Sequence, residues 1–233
     1  MTNQIIVEKD KILTIKNNVI DLIVKEEDLV INIEGHVLIN NIEQLILENS
    51  SLTINLLPNS ELLMNSFNLI NPKLKKITFN QQEKSQLYFN YASLVKRQTN
   101  LIIDANIKGD NNITVINVMV VTQDSGQVII EANGNIEEKT INNRFSENLH
   151  CLTMNEGQNK IIPNLIVKTN ETEVNHSATI GPIDQDELFY LLSKGISETE
   201  ANLLIRNGFL VSRLNLNDQL KEKINQMLKV EGE

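Results

Sequence analysis

The sequence has 233 residues, 41% hydrophobic and 22% charged, which suits a folded protein with one large β domain, or one domain and an appendage. A net charge of −9 excludes a general nucleic-acid binder, since phosphate neutralisation needs a clustered basic surface and Lys73, Lys75 and Lys76 form too short a stretch to supply one. No run approaches the roughly 18 apolar residues that cross a bilayer, and residues 1–10 lack the basic flank and apolar centre of a secretion signal, so a cytoplasmic protein with no membrane partner is expected.

Taken in chain order, short apolar runs follow one another at 29–33, 36–39, 45–47, 52–56, 62–64, 77–79, 87–89, 101–103, 113–116, 118–121, 128–130 and 165–167. They are rich in β-branched residues and bounded by Asn, Gly, Asp and Ser, which predicts strands. No stretch between them carries a helical period, so alternating βα units are not expected. A sandwich, a barrel or a β-solenoid remains, and very short strands with polar corners favour a parallel β-helix, in which each coil buries a small apolar face against its neighbours. No exact repeat is readable. The 34 asparagines suit a chain with many corners, or coils whose asparagines stack, and a biased genome composition explains the excess equally well.

After Gly181 the pattern turns helical. Asp184, with Glu187 three positions on, starts a helix through 188–192 that Gly195 ends. Ser197 and Glu200 have capping-box spacing, and Ala201, Leu204 and Ile205 give an apolar stripe that stops at Gly208. A last helix begins near Asn217, with Leu216, Leu220, Ile224 and Leu228 recurring every fourth residue. Three such helices make little core alone, so their stripes must dock on the β region or on a partner.

Chemistry-bearing motifs are scarce. Cys151 is the only cysteine, which excludes an intrachain disulfide and a complete thiolate set for zinc or an iron–sulfur centre. It reads as a small buried hydrophobe. His36 and His150 read as structural, and Asp184, Asp186 and Glu187 as capping and helix-dipole residues. Phosphate-binding glycine loops, nucleophile elbows and HExxH are absent. No catalytic constellation emerges, and the chain is not expected to be an enzyme. A polysaccharide-acting β-helix is a weak alternative, because the chain has no Trp and only three Tyr for sugar stacking, and no acidic pair stands out.

One segment carries a specific resemblance. Val174-Asn175-His176-Ser177-Ala178-Thr179-Ile180-Gly181-Pro182-Ile183-Asp184 leads into Leu188-Phe189-Tyr190-Leu191 and then Gly195-Ile196, with Asn142-Asn143-Arg144-Phe145 upstream. Over residues 140–210 this resembles the SufB/SufD family of iron–sulfur cluster assembly. The resemblance implies a right-handed parallel β-helix over 1–182 and a small C-terminal helical domain over 183–233. It implies a non-enzymatic scaffold that docks a SufC-like ATPase through those helices, with Leu188, Phe189, Tyr190, Leu192, Gly195, Ile196, Ala201, Leu204 and Ile205 as the docking residues. It also implies pairing through the β-helix with a SufB-like subunit, or in a homodimer. No cofactor is expected on the isolated chain, and a transient iron–sulfur cluster is expected at a subunit interface, with His176 as an iron ligand.

In SufB a cysteine accepts sulfur and a Glu follows the motif histidine. Those positions fall on Asn148 and Ser177, which can neither form a persulfide nor bring negative charge to ferrous iron. With the histidine kept, the chain resembles SufD more closely. It departs from SufD at Val174 and Ser177, where that subunit carries Cys and Gly, and the family's N-terminal helical region is expected to be missing or reduced. A short, divergent member is expected.

Overall fold

A computed structural model describes residues 3–7, 12–24, 28–43, 49–69 and 72–230. Among these, the strands in chain order are β1 (Asn3–Val7), β2 (Ile12–Lys16), β3 (Val19–Val24), β4 (Asp28–Glu34), β5 (His36–Glu43), β6 (Asn49–Leu56), β7 (Glu61–Asn68) and β8 (Leu74–Gln81). They continue with β9 (Gln86–Val95), β10 (Gln98–Ile107), β11 (Ile113–Thr122), β12 (Gln127–Ile136), β13 (Asn143–Thr153), β14 (Gln158–Val167) and β15 (Thr172–Pro182). Three helices follow, α1 (Gln185–Ser193), α2 (Glu198–Val211) and α3 (Asp218–Val230).

The odd-numbered strands form an eight-stranded sheet and the even-numbered strands a seven-stranded one, and the neighbours pair in parallel. Each coil adds one strand to each sheet, so the fold is a β-solenoid, as the corners and short runs predict. Side-chain alternation fills it. In β10, Thr99, Leu101, Ile103, Ala105 and Ile107 point inward while the residues between them face out. Inward residues of both sheets merge into one apolar core, in which the Phe79 and Phe89 rings lie 4.9 Å apart.

The asparagines have specific places. On the outer face of the odd-numbered sheet a side-chain ladder runs from Asp21 through Asn40, Asn65, Asn90, Asn117 and Asn148 to Ser177, at 2.9–3.2 Å per rung. The even-numbered sheet has its own, Asn32–Asn55–Asn80–Asn106, at 2.9–3.1 Å. Asn17, Asn59, Asn111, Asn142 and Asn155 take positive φ at corners, a conformation asparagine tolerates better than most residues. The successive rungs of the first ladder are 19, 25, 25, 27, 31 and 29 residues apart, so coil length varies along the chain. That variation is why no period is readable.

Several expectations need correction. The strands of the later coils reach 10 or 11 residues, longer than the apolar runs, because outward positions are polar. The runs at 113–116 and 118–121 are one strand, β11. Strands β1, β2, β3, β13 and β15 lie outside the predicted runs, and the run at 45–47 lies outside the described residues. Helix α2 passes through Gly208 to Val211, since fully buried Leu210 anchors its last turn.

The helices dock on the outer face of the odd-numbered sheet. Phe67, Leu94 and Val121 pack there with Ile205, Leu210, Ile224 and Leu228 in a second apolar cluster. Asn65 accepts from the backbone N–H of Asn215 at 3.0 Å and donates to its carbonyl at 2.8 Å, joining the ladder to the α2–α3 connection. Fully buried Arg206 donates to Gln123 Oε1 at 2.9 Å and to the Leu228 carbonyl at 3.2 Å. The α3 stripe, and Ala201 and Ile205 of the α2 stripe, are therefore buried within the chain, while Leu204 is not.

Candidate functional site

Two surfaces collect the candidate residues. The first is the C-terminal end of the solenoid, where β15 pairs with β13 on one side and no strand lies beyond it among the described residues. The same holds for β14 in the other sheet. Val174, Ile180 and Val167, at inward positions that a further coil would cover, are exposed here.

Register decides what meets at this end. Asn148 lies opposite Ser177, and the Ser177 hydroxyl donates to Asn148 Oδ1 at 3.0 Å. The two positions at which the resemblance expects a thiol and an acid are thus adjacent, on the outer face, and tied to each other by an amide and a hydroxyl. Cys151, three residues on, points the other way into the core, where burial pushes its thiol up to about 12. In that setting it is held as a protonated thiol. His150 shares the outer face with Asn148, and burial, helped by the nearby Arg213 charge, lowers its pKa.

His176 is exposed and lies opposite Glu147, each one residue before the Ser177–Asn148 pair and therefore on the inner face. Glu147 is the residue that motif reading passes over. It stands between Phe145 and Leu149 at an inward position, is only 2% exposed, and its Oε1 has no hydrogen-bond partner. Burial pushes its carboxyl up to about 7. The legible signal was parity: in Phe145-Ser146-Glu147-Asn148-Leu149-His150-Cys151 the acid falls on the apolar phase of the strand.

The second surface is helical. Asp184 caps α1, accepting from the N–H groups of Asp186 and Glu187, and Ser197 and Glu200 form the expected capping box on α2. Phe189 is 72% exposed and Tyr190 59%, and Leu192 and Leu204 are exposed as well. The Lys194 ammonium sits over the Tyr190 ring, 5.2 Å from its centroid. Leu188 and Ile196 are half-buried, and Gly195 takes φ +82° where the chain leaves α1. Ala201 and Ile205, expected among the docking residues, are buried, Ile205 within the apolar cluster between α2 and the sheet. A cleft of about 510 Å³, lined in part by Leu152, Pro182, Leu191, Leu204 and Phe209, separates the helices from the sheet edge.

Residues 75–209 match the family described as "SUF system FeS cluster assembly, SufBD core domain". An iron–sulfur cluster assembly SufBD family protein of Pyrococcus horikoshii is 48% identical over 48 residues, which are 21% of this chain and 11% of that protein. SufBD family proteins of Staphylococcus saprophyticus and Staphylococcus aureus are 30% identical over 106 residues, 44% of this chain and 22% of theirs. The aligned stretches thus cover well under two-thirds of each relative. No helix among the described residues is long and apolar enough to cross a membrane.

Proposed function

Because the chain belongs to the SufBD family of iron–sulfur cluster assembly proteins, we propose that it is a non-enzymatic, SufD-like scaffold subunit that docks a SufC-like ATPase through its helices. The observation that carries this reading is the exposed group Phe189, Tyr190, Leu192 and Leu204, an apolar surface that the protein's own core leaves unused. The docking set therefore contracts to these side chains, with Leu188 and Ile196 beside them, and Ala201 and Ile205 hold the helices in place from behind.

The uncovered end of the solenoid supports pairing with a SufB-like subunit. Strand edges with exposed inward residues are templates for a further strand or a facing coil. The SufD lean rests on Asn148 and Ser177: hydrogen-bonded to each other, they offer no sulfur acceptor, so a cluster assembled at this interface takes its thiolates from the partner. The same uncovered end favours a second reading, a homodimer of this chain.

Co-expression with a SufC-like ATPase, followed by size exclusion, tests the proposal. Co-elution that is lost in the Phe189→Ser, Tyr190→Ser double variant is the expected result. A chain that never co-elutes with the ATPase refutes it. The same experiment with a SufB-like subunit separates the heterodimer from the self-paired form.

A further inference from the structure

We propose that the outer face of the odd-numbered sheet carries a second docking row, Val19–Leu38–Leu63–Tyr88–Val115, which receives a basic-flanked amphipathic helix of a partner protein. The five side chains stand in register on β3, β5, β7, β9 and β11, each opposite the next. All occupy outward positions, beside buried inward neighbours such as Val37, Leu62, Leu87 and Ile116.

A like row lies four residues further along the same strands. Ile42, Phe67, Ala92 and Met119 are also in register and outward, yet each is at most 8% exposed, in one cluster with Leu220, Ile224 and Leu228 of α3. The ladder Asn40–Asn65–Asn90–Asn117 runs between the two rows. The first row belongs to neither apolar cluster: Val19 is 43% exposed and the other four are half-buried. Flanking strands alone give that degree of burial. Thr53, Thr78 and Ile102, outward on the even-numbered sheet, have it too, and no residue of that sheet joins the apolar packing of the helices.

Spacing and charge select the occupant. Parallel strands lie about 4.8 Å apart, so the row is about 19 Å long. A helix laid along it brings an apolar side chain round once per turn of about 5.4 Å, near the rung spacing, and about 13 residues span the row. An extended segment laid the same way presents a side chain to one face only every 6.6 Å or so and falls out of step. Asp21 follows Val19 by two residues on the outer face and Glu61 precedes Leu63 by two, which puts a carboxylate on each side of the row. Glu61 pairs with His36 at 3.0 Å, and a cavity of about 610 Å³, lined in part by Val19, His36, Leu38, Glu61 and Leu63, opens at this end. Further along the row its neighbours are the neutral Gln86, Asn90 and Asn117. Lysine or arginine beside the apolar stripe of the incoming helix complements the acidic end. The row shares no residue with the surface around Phe189 and does not depend on the ATPase docking proposed above.

The test is a synthetic, labelled helix of about 18 residues, with leucine at every third or fourth position and lysine flanking that stripe, titrated against the full chain by fluorescence anisotropy. One helix per chain is expected to bind, with Leu63→Gln and Tyr88→Gln each weakening it about tenfold or more, and Ile102→Gln leaving it unchanged. Circular dichroism checks that the variants fold. A second helix with glutamate in place of lysine should bind more weakly, and the difference should shrink as salt is added. A parent chain that leaves the lysine helix unbound, equal affinity for the two helices, or binding that survives both substitutions in folded variants overturns the proposal. Loss of binding in Phe189→Ser with retention in Leu63→Gln would move the helix to the ATPase-docking surface. A dimer of the chain alone that Leu63→Gln converts to monomers would give the row to a second copy. Either result also overturns it.

Discussion

Ser177 donates its hydroxyl to Asn148 Oδ1 at 3.0 Å, as the last rung of a ladder that starts at Asp21. A pair that resemblance marks for sulfur and iron chemistry is here part of the stacking order of the solenoid. The consequence is a prediction about thiols. The native chain should leave a thiol reagent unconsumed under folding conditions, because Cys151 is buried and its thiol is pushed up to about 12. Asn148→Cys, on the partly exposed outer face, should react with one equivalent at once. Rapid modification of the native protein would mean that the last coil opens.

Within the ladder, Asn65 carries the most. It bonds Asn40 and Asn90 along the stack and both backbone groups of Asn215 across to the helices. Asn65→Ala would leave four partners unpaired in a buried setting, a loss of about 2–4 kcal/mol. Urea unfolding measures it. Asn164→Ala, at an exposed position with one side-chain bond to Asn133, should lie within about 0.5 kcal/mol of the parent. Equal effects at the two sites would refute the view that the ladder anchors the helical region.

How far the sequence reveals this fold follows from the same residues. The capping residues Asp184 and Ser197 announce their helices, because capping is a local hydrogen-bond pattern. The solenoid is legible only as texture: corners of variable length shift Asn90, Asn117 and Asn148 out of any fixed period, though they stack in space. Glu147 stays hidden for a related reason. Its meaning depends on strand parity, and β13 contains no uninterrupted apolar run to declare that parity. The docking stripe errs in the opposite direction. Ala201, Leu204 and Ile205 are read together as one apolar face, yet Ala201 and Ile205 are buried while Leu204 faces solvent.

The Glu147 carboxyl gives a pH signature. Its pKa rises from 4.5 to about 7 on folding, so the folded chain holds the proton more tightly than the unfolded one. Below 4.5 both states are protonated and the residue is neutral for stability. As pH rises the unfolded chain ionises first, stability falls through the window up to about 7, and above it the full penalty is present. Glu147→Gln removes the penalty, so it should stabilise the protein by roughly 3 kcal/mol at pH 8 and far less at pH 5. Denaturant melts at the two pH values decide the matter; a gain independent of pH would show that the carboxyl titrates normally in the fold.

The helical surface separates binding from stability. Phe189 is 72% exposed and touches no core, so Phe189→Ser should leave the unfolding midpoint within about 0.5 kcal/mol of the parent. Ile205, buried between α2 and the sheet, behaves otherwise: Ile205→Ala should cost about 3 kcal/mol through lost burial and the cavity left behind. Partner capture should reverse the order. The Phe189 variant should lose the ATPase while remaining fully folded, and the Ile205 variant should keep it at temperatures where it still folds. Thermal melts paired with co-elution at one temperature give both readings. If the Ile205 variant, shown to be folded, lost the partner while the Phe189 variant retained it, the docking surface would have to lie on the buried side of α2, which the packing of Ile205 and Leu210 against the sheet forbids.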